Sequence, residues 1–239
     1  MPTARAPKIT SPDTTSTRWF RGLAFIFAFI LACQAFWILA AEFSRPRLVH
    51  GDSGSAADLA ANRNAAHRAA QLGMFRGDLW AEDSLMYSDA LRRAEQNKTT
   101  DDATALREAR DVTERALAFA PHDARIWLVL AELVSRFDWF NGKASAALRM
   151  SYYTGPNEVA LIPTRLLLST TLPAISDKEF QPLVVHDLRT IVTRRPDLKP
   201  AISNAYQYAS PEGQQFMRNT LKDLDPNLLS TLPQKPRGE

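Results

Sequence analysis

The segment Asp123–Pro156, DARIWLVLAELVSRFDWFNGKASAALRMSYYTGP, decides the fold. Ile126, Trp127, Leu130, Leu133 and Val134 recur three and four residues apart, which lays one apolar stripe along a helix over 124–137. Asp123 stands just before it, where a short carboxylate accepts from free amides of the first turn. Phe137-Asp138-Trp139-Phe140-Asn141-Gly142 reads as an aromatic-rich turn. A second helix over 143–153 follows, and Gly155 with Pro156 supplies the expected stop. The segment is a helix-turn-helix unit.

The same chemistry extends both ways. Between Pro46 and Pro121 there is no proline, and Ala, Leu, Arg and Glu dominate. Helices are expected over 56–73, 77–96 and 101–119, the last started by Thr99-Thr100-Asp101-Asp102. Its apolar stripe is Leu106, Ala109, Val112, Ala116 and Leu117. Downstream, Ser176-x-x-Glu179 is a capping box for a helix over 177–194. Ser210-Pro211 opens a helix over 211–223, and Asp225-Pro226 opens a short last one. No stretch alternates polar and apolar residues over a useful strand length, so the fold class is all-α.

Pro121, Pro156, Pro196 and Pro226 are 35, 40 and 30 residues apart, a spacing that suggests repeated helical pairs. The unit Asp123–Pro156 resembles tetratricopeptide repeats. Trp127, Leu130 and Ala131 stand at that family's W-x-x-L-G/A positions, and Val134 at its first-helix aromatic. Ala144, Leu148 and Ser151 match the small, large and small positions of the second helix, and Pro156 closes the unit. The resemblance covers residues 78–196 and is best over 123–156; beyond Pro156, Pro163, Pro173 and Pro182 interrupt the expected helices. It implies stacked helical hairpins, an α-solenoid, with a concave surface that holds segments of partner proteins. On that geometry the groove side of the first helix presents Arg125, Leu128, Glu132, Ser135 and Arg136 to a protein partner.

A different signal precedes the repeats. Leu23–Ala41, LAFIFAFILACQAFWILAA, contains no charge, and as a helix it is about 28 Å long, close to the bilayer core thickness. Trp19, Phe20 and Trp37 suit the interfaces. A cleaved signal peptide is disfavoured by the length of the run and by Leu39 at the −3 place before Ala41. Ile30-Leu31-Ala32-Cys33 resembles a lipobox, but Leu31 replaces a small residue and the apolar run continues past Cys33. The expectation is a retained single span, with residues 1–22 a cytoplasmic tail, 42–56 a tether, 57–232 the helical domain and 233–239 a disordered tail. Four basic residues precede the span and two follow it closely, which places the main domain outside the cytoplasm, on the periplasmic side of an inner membrane.

Charge narrows the partners. The net charge is +3, but residues 1–22 alone carry four basic groups and one acid. With those removed from totals of 29 and 26, the rest of the chain holds 25 of each sign. A neutral domain lacks the basic footprint of nucleic-acid binding. Cysteine occurs once, which excludes a disulfide framework, and no glycine-rich phosphate loop is present.

Motifs with chemical overtones have plainer readings. Gly51-Asp52-Ser53-Gly54 spells a serine-protease motif, but only the span and tail precede it. His50, His67, His122 and His186 show no zinc spacing, and neighbours His186 and Asp187 point to different helix faces. Arg189, Arg194, Arg195 and Lys199 form a basic cluster at a helix end. No catalytic residue, metal ligand, cofactor or small-molecule substrate is assigned. The functional expectation is a membrane-anchored scaffold for protein partners in an envelope assembly such as export, with an envelope-enzyme subunit as the alternative.

Overall fold

A computed structural model describes residues 14–46, 56–96, 103–137 and 142–232. Among these the chain is helical throughout, with no strand. The helices are α1 (Thr14–Phe43), α2 (Ala56–Gly73), α3 (Gly77–Gln96), α4 (Ala103–Phe119), α5 (Ala124–Phe137) and α6 (Gly142–Thr154). They continue as α7 (Ile162–Thr171), α8 (Gln181–Arg194), α9 (Lys199–Tyr208), α10 (Pro211–Leu224) and α11 (Pro226–Thr231).

Helix α1 is about 45 Å long at 1.5 Å per residue, and Trp19–Phe43 is long and apolar enough to cross a membrane. Its large side chains, Phe25, Phe29 and Phe36 among them, face outward rather than into the domain. The expected tether is packed at its beginning: α1 runs through Phe43, Pro46 is buried, and Arg45 is ion-paired. Residues 47–55, with His50 and Gly51-Asp52-Ser53-Gly54, lie outside the described residues. So do 97–102, 138–141 and 233–239, which hold the Thr99–Asp102 start signal, most of the aromatic turn and the expected tail.

From α2 to α6 each helix packs against the next, and α3 touches α5 while α5 touches α7. Besides a small cluster of Leu91, Ala109, Val129 and Leu133 on α3–α5, the core has one cluster around α1–α5, built on Leu79, Trp80, Ala116, Leu117 and Ile126, and a larger one from α5 to the end. Trp127 and Leu130 pack against both and join them. In the α5–α6 hairpin, Ala131, Ala144, Leu148 and Ser151 are fully buried, so small side chains sit at the close approach and Leu148 fills the gap.

The start signals worked unequally. Asp123 Oδ1 accepts from the Arg125 amide at 2.9 Å, Ser210 Oγ from Gly213 at 3.0 Å, and Asp225 Oδ1 from Leu228 at 3.1 Å. The Ser176–Glu179 capping box does not form. Ser176 closes a 3-10 turn (Pro173–Ser176), Asp177 Oδ1 accepts from the Glu179 amide instead, and α8 starts only at Gln181. Among the described residues the prolines beyond Pro156 begin helices rather than interrupt them. Pro163, Pro182 and Pro200 occupy first turns, where a missing N–H costs no intrahelical bond. Helices α7 and α9, which the periodicity did not announce, arise this way.

Candidate functional site

Helices α8 and α10 enclose an open groove of about 830 Å³. Its apolar floor comes from Ile175, Pro182, Val185, Phe216 and Leu224. Lys178 and Arg189 stand on the α8 side, while Glu212 and Asp223 stand on the α10 side. The groove is thus polarised across its width, basic on one wall and acidic on the other. Gln215, Asn219 and Thr220 add hydrogen-bonding groups. Its shape follows from helix periodicity. On α8, Pro182, Val185 and Arg189 face the groove, while Val184, Asp187, Leu188 and Ile191 face the core.

The strip expected on α5 is differently placed. Leu128 is buried in the core, and Ser135 is buried with its hydroxyl donating to the Glu132 carbonyl at 2.7 Å. Arg125 is exposed and paired with Asp123 at 2.6 Å. Glu132 pairs with Arg136 at 3.0 Å and lies 3.9 Å from Arg92. Helix α5 is flanked by α3 on one side and α7 on the other, so this face is partly covered.

Beneath the α8–α10 groove lies a buried polar cluster. Arg165 of α7 is fully buried and acts as a cap for α6: it donates through Nη1 to the Gly155 carbonyl at 2.9 Å, through Nε to Ser151 Oγ at 3.0 Å, and through Nη2 to the Ser151 carbonyl. Its guanidinium lies 4.8 Å over the Tyr152 ring, and the Tyr152 hydroxyl is 3.1 Å from Ser169 Oγ. Asp187 of α8 is buried beside them, and neither of its oxygens has a hydrogen-bond partner among the described residues. Burial pushes the Asp187 carboxyl up to about 6, with the Tyr152 hydroxyl and the Arg165 charge pulling the other way. Burial likewise holds Arg165 below the usual guanidinium range and Tyr152 well above the usual phenol range.

A second, smaller cleft of about 330 Å³ lies among α2, α3 and α4. His67 Nδ1 is 3.0 Å from Asp83 Oδ2, and His67 Nε2 is 2.8 Å from the Gln71 amide. One neutral tautomer satisfies both contacts: Nδ1–H donates to Asp83 and Nε2 accepts from Gln71. Asp83 is buried, its other oxygen has no hydrogen-bond partner among the described residues, and burial raises its carboxyl. Tyr87 donates to Glu108 and is pushed up to about 12, first by burial. His67 and Asp83 sit 16 residues apart on different helices, a pairing no local motif announces.

The chain matches no family model, no curated protein and no solved structure.

The joint between α1 and the domain completes the picture. Arg45 contacts Glu42 at 2.7 Å, Asp78 at 2.8 Å and Glu82 at 3.2 Å, while Arg76 contacts Asp78 at 2.6 Å and Glu42 at 3.1 Å. Two cations and three carboxylates thus tie the end of α1 to the α2–α3 corner. The Arg76 guanidinium holds Asp78 below the usual carboxylate range, whereas burial raises Glu82. Of the other sequence candidates, Arg195 pairs with Asp197 at 2.6 Å and Lys199 with Asp225 at 3.1 Å, which divides the basic cluster among neighbouring acids. His122 and His186 are exposed, and Asp187 faces inward as adjacent helical positions require.

Proposed function

We propose that this chain is a single-span membrane protein whose tetratricopeptide-like, extracytoplasmic domain holds partner proteins at an inner membrane. Helix α1 is the anchor, with its basic N-terminal flank in the cytoplasm and α2–α11 on the periplasmic side. The solenoid reading is supported by α3, α5 and α7 touching in succession, and by Ala131, Ala144 and Ser151 buried where the repeat requires small residues. The observation that carries the scaffold reading is the α8–α10 groove. Its apolar floor between a basic and an acidic wall suits an extended or helical protein segment whose acidic residues face α8 and basic residues face α10. An envelope assembly for export or polysaccharide handling is a setting that fits this layout.

The test is a photo-crosslinking residue placed at Phe216 in the full-length chain in native membranes. A discrete protein adduct is expected, lost when Arg189→Glu and Glu212→Lys reverse the walls, and not formed from exposed His122. Equal labelling from both positions would sink the reading.

A second reading, a subunit of an envelope enzyme, is favoured by one observation. The His67–Asp83 pair opens on a cleft holding other titratable groups, the arrangement in which a carboxylate orients an imidazole for proton transfer. Turnover of a small substrate by the purified chain that is lost in His67→Ala, with no groove adduct, would prefer it.

A further inference from the structure

The α2–α3 corner gathers three exposed apolar side chains within four residues, whereas Phe119, Phe137, Met150, Tyr153 and Tyr208 are exposed elsewhere on the domain. Leu72 is 41%, Met74 45% and Phe75 81% exposed, each a large apolar side chain at a tight turn. Met74 has φ 38°, in the left-handed region that a non-glycine residue enters at a cost. The corner does not project into open solvent away from α1. It lies against the apolar part of that helix, where Trp37 Nε1 donates to the Leu72 carbonyl. An apolar slot of about 560 Å³ separates the two, lined on one side by Ile30, Cys33 and Trp37 and on the other by Met74 and Phe75. From Ala41 down to Ile30 it follows α1 for about 16 Å at 1.5 Å per residue.

The charged joint sets the level. Glu42, Arg45, Arg76, Asp78 and Glu82 form one ion-paired layer, and charges of this density belong at the water side of a bilayer. Trp37 lies five residues below Glu42, about 7 Å along the helix, which is the depth of the aromatic belt. Phe75 immediately precedes Arg76, and Arg76 turns back to the charged layer through Glu42 and Asp78. The chain therefore sends its cation toward the headgroups and leaves its apolar tip beside the span.

We propose that the α2–α3 corner is a second membrane contact: Leu72, Met74 and Phe75 enter the acyl region of the leaflet next to the domain, and lipid chains occupy the slot beside α1. The occupant is lipid because the patch is continuous with the apolar surface of the span and stops at the ion-paired layer. Two points of contact instead of one fix the tilt of the helical domain on the membrane. This inference rests on α1 spanning the bilayer.

The test uses the full-length chain reconstituted in vesicles of phosphatidylcholine and phosphatidylglycerol. Spin labels are placed singly at native Cys33 and, in a Cys33→Ser background, at Phe75→Cys, Met74→Cys or His122→Cys. Relaxation by oxygen is compared with relaxation by a water-soluble nickel chelate. The oxygen-to-nickel ratio at 75 and 74 is expected to match that at Cys33 and to exceed that at His122 several-fold. A lipid-like ratio at Cys33 with a water-like ratio at both 74 and 75 overturns the second contact and leaves the anchor standing. A water-like ratio at Cys33 overturns the anchor and the inference together. Positions 74 and 75 are both exposed, so a label lost to misfolding at one is replaced by the other.

Discussion

The guanidinium of Arg165 and the carboxylate of Asp187 are buried side by side, yet Arg165 spends its donors on the end of α6 and gives none to Asp187. The pair therefore interacts through space. Arg165 is the better satisfied partner, and its removal would take one hydrogen bond each from the Ser151 and Gly155 carbonyls, which keep the Gly155 and Glu158 amides, and would leave the buried Asp187 charge uncompensated. Arg165→Met is expected to lower stability by about 3–5 kcal/mol, the range for breaking a buried charged network at one partner. Arg165→Lys should recover only part, because an ammonium cannot reproduce the fork. Urea unfolding followed by circular dichroism measures both; equal stability of Arg165→Met and the parent would refute the assignment.

Asp187 makes stability depend on pH. Its carboxyl is raised from 3.8 to about 6 in the fold, so between those values the folded state binds the proton more tightly than the unfolded chain. The contribution is fully present below about pH 4 and is lost as pH rises through about 6, a change of about 3 kcal/mol for a shift of about two units. Asp187→Asn should flatten that part of the stability profile. Parallel curves for parent and variant across pH 4–7 would contradict it.

Much of this architecture could be read from the chain, and the exceptions share a cause. Local signals reported faithfully: the proline-free run of helix formers placed α2 and α3, the apolar stripe placed α5, and Asp123, Ser210 and Asp225 cap helices as their types require. Proline was misjudged because a first-turn proline and a helix-breaking one look alike until the helix start is known, and so α7 and α9 went unseen. The capping box at Ser176 failed because a 3-10 turn consumed the serine. The groove, the Arg165 cluster and the His67–Asp83 pair depend on which helices meet, and no spacing within one helix encodes that. Leu128 and Ser135 illustrate the same point, since both are buried by packing against other helices although they lie on the strip expected to face a partner.

Gly213 marks where α10 crosses α7. A Cβ there would lie 2.0 Å from the Thr170 carbonyl oxygen, the same oxygen that accepts from the Ser210 amide at 3.0 Å. Gly213→Ala is expected to cost about 2–3 kcal/mol through forced separation of the two backbones. A melting temperature unchanged from the parent would show that the helices part easily.

The joint at Arg45 should behave in the opposite manner. Its ion pairs are about one-third exposed on the arginine side, and exposed pairs contribute only about 0.5 kcal/mol each. Arg45→Ala should barely move the melting temperature yet loosen the domain on its anchor. Spin-label distances between Cys33 and His122→Cys are expected to broaden in the variant, and in the parent at high salt, where screening weakens the pairs. A distribution as narrow as the parent's would mean that packing alone holds the joint.

Everything proposed for the groove and the corner presupposes that α1 stays in the bilayer with the helical domain on its far side. Alkaline phosphatase fused after Glu239 tests this most directly, read together with extraction of membranes by alkaline carbonate. The expected result is active phosphatase that remains in the carbonate-washed membrane as a full-length fusion. Silent phosphatase would reverse the topology, and active phosphatase released as a shortened soluble fusion would show that the apolar helix is a cleaved leader.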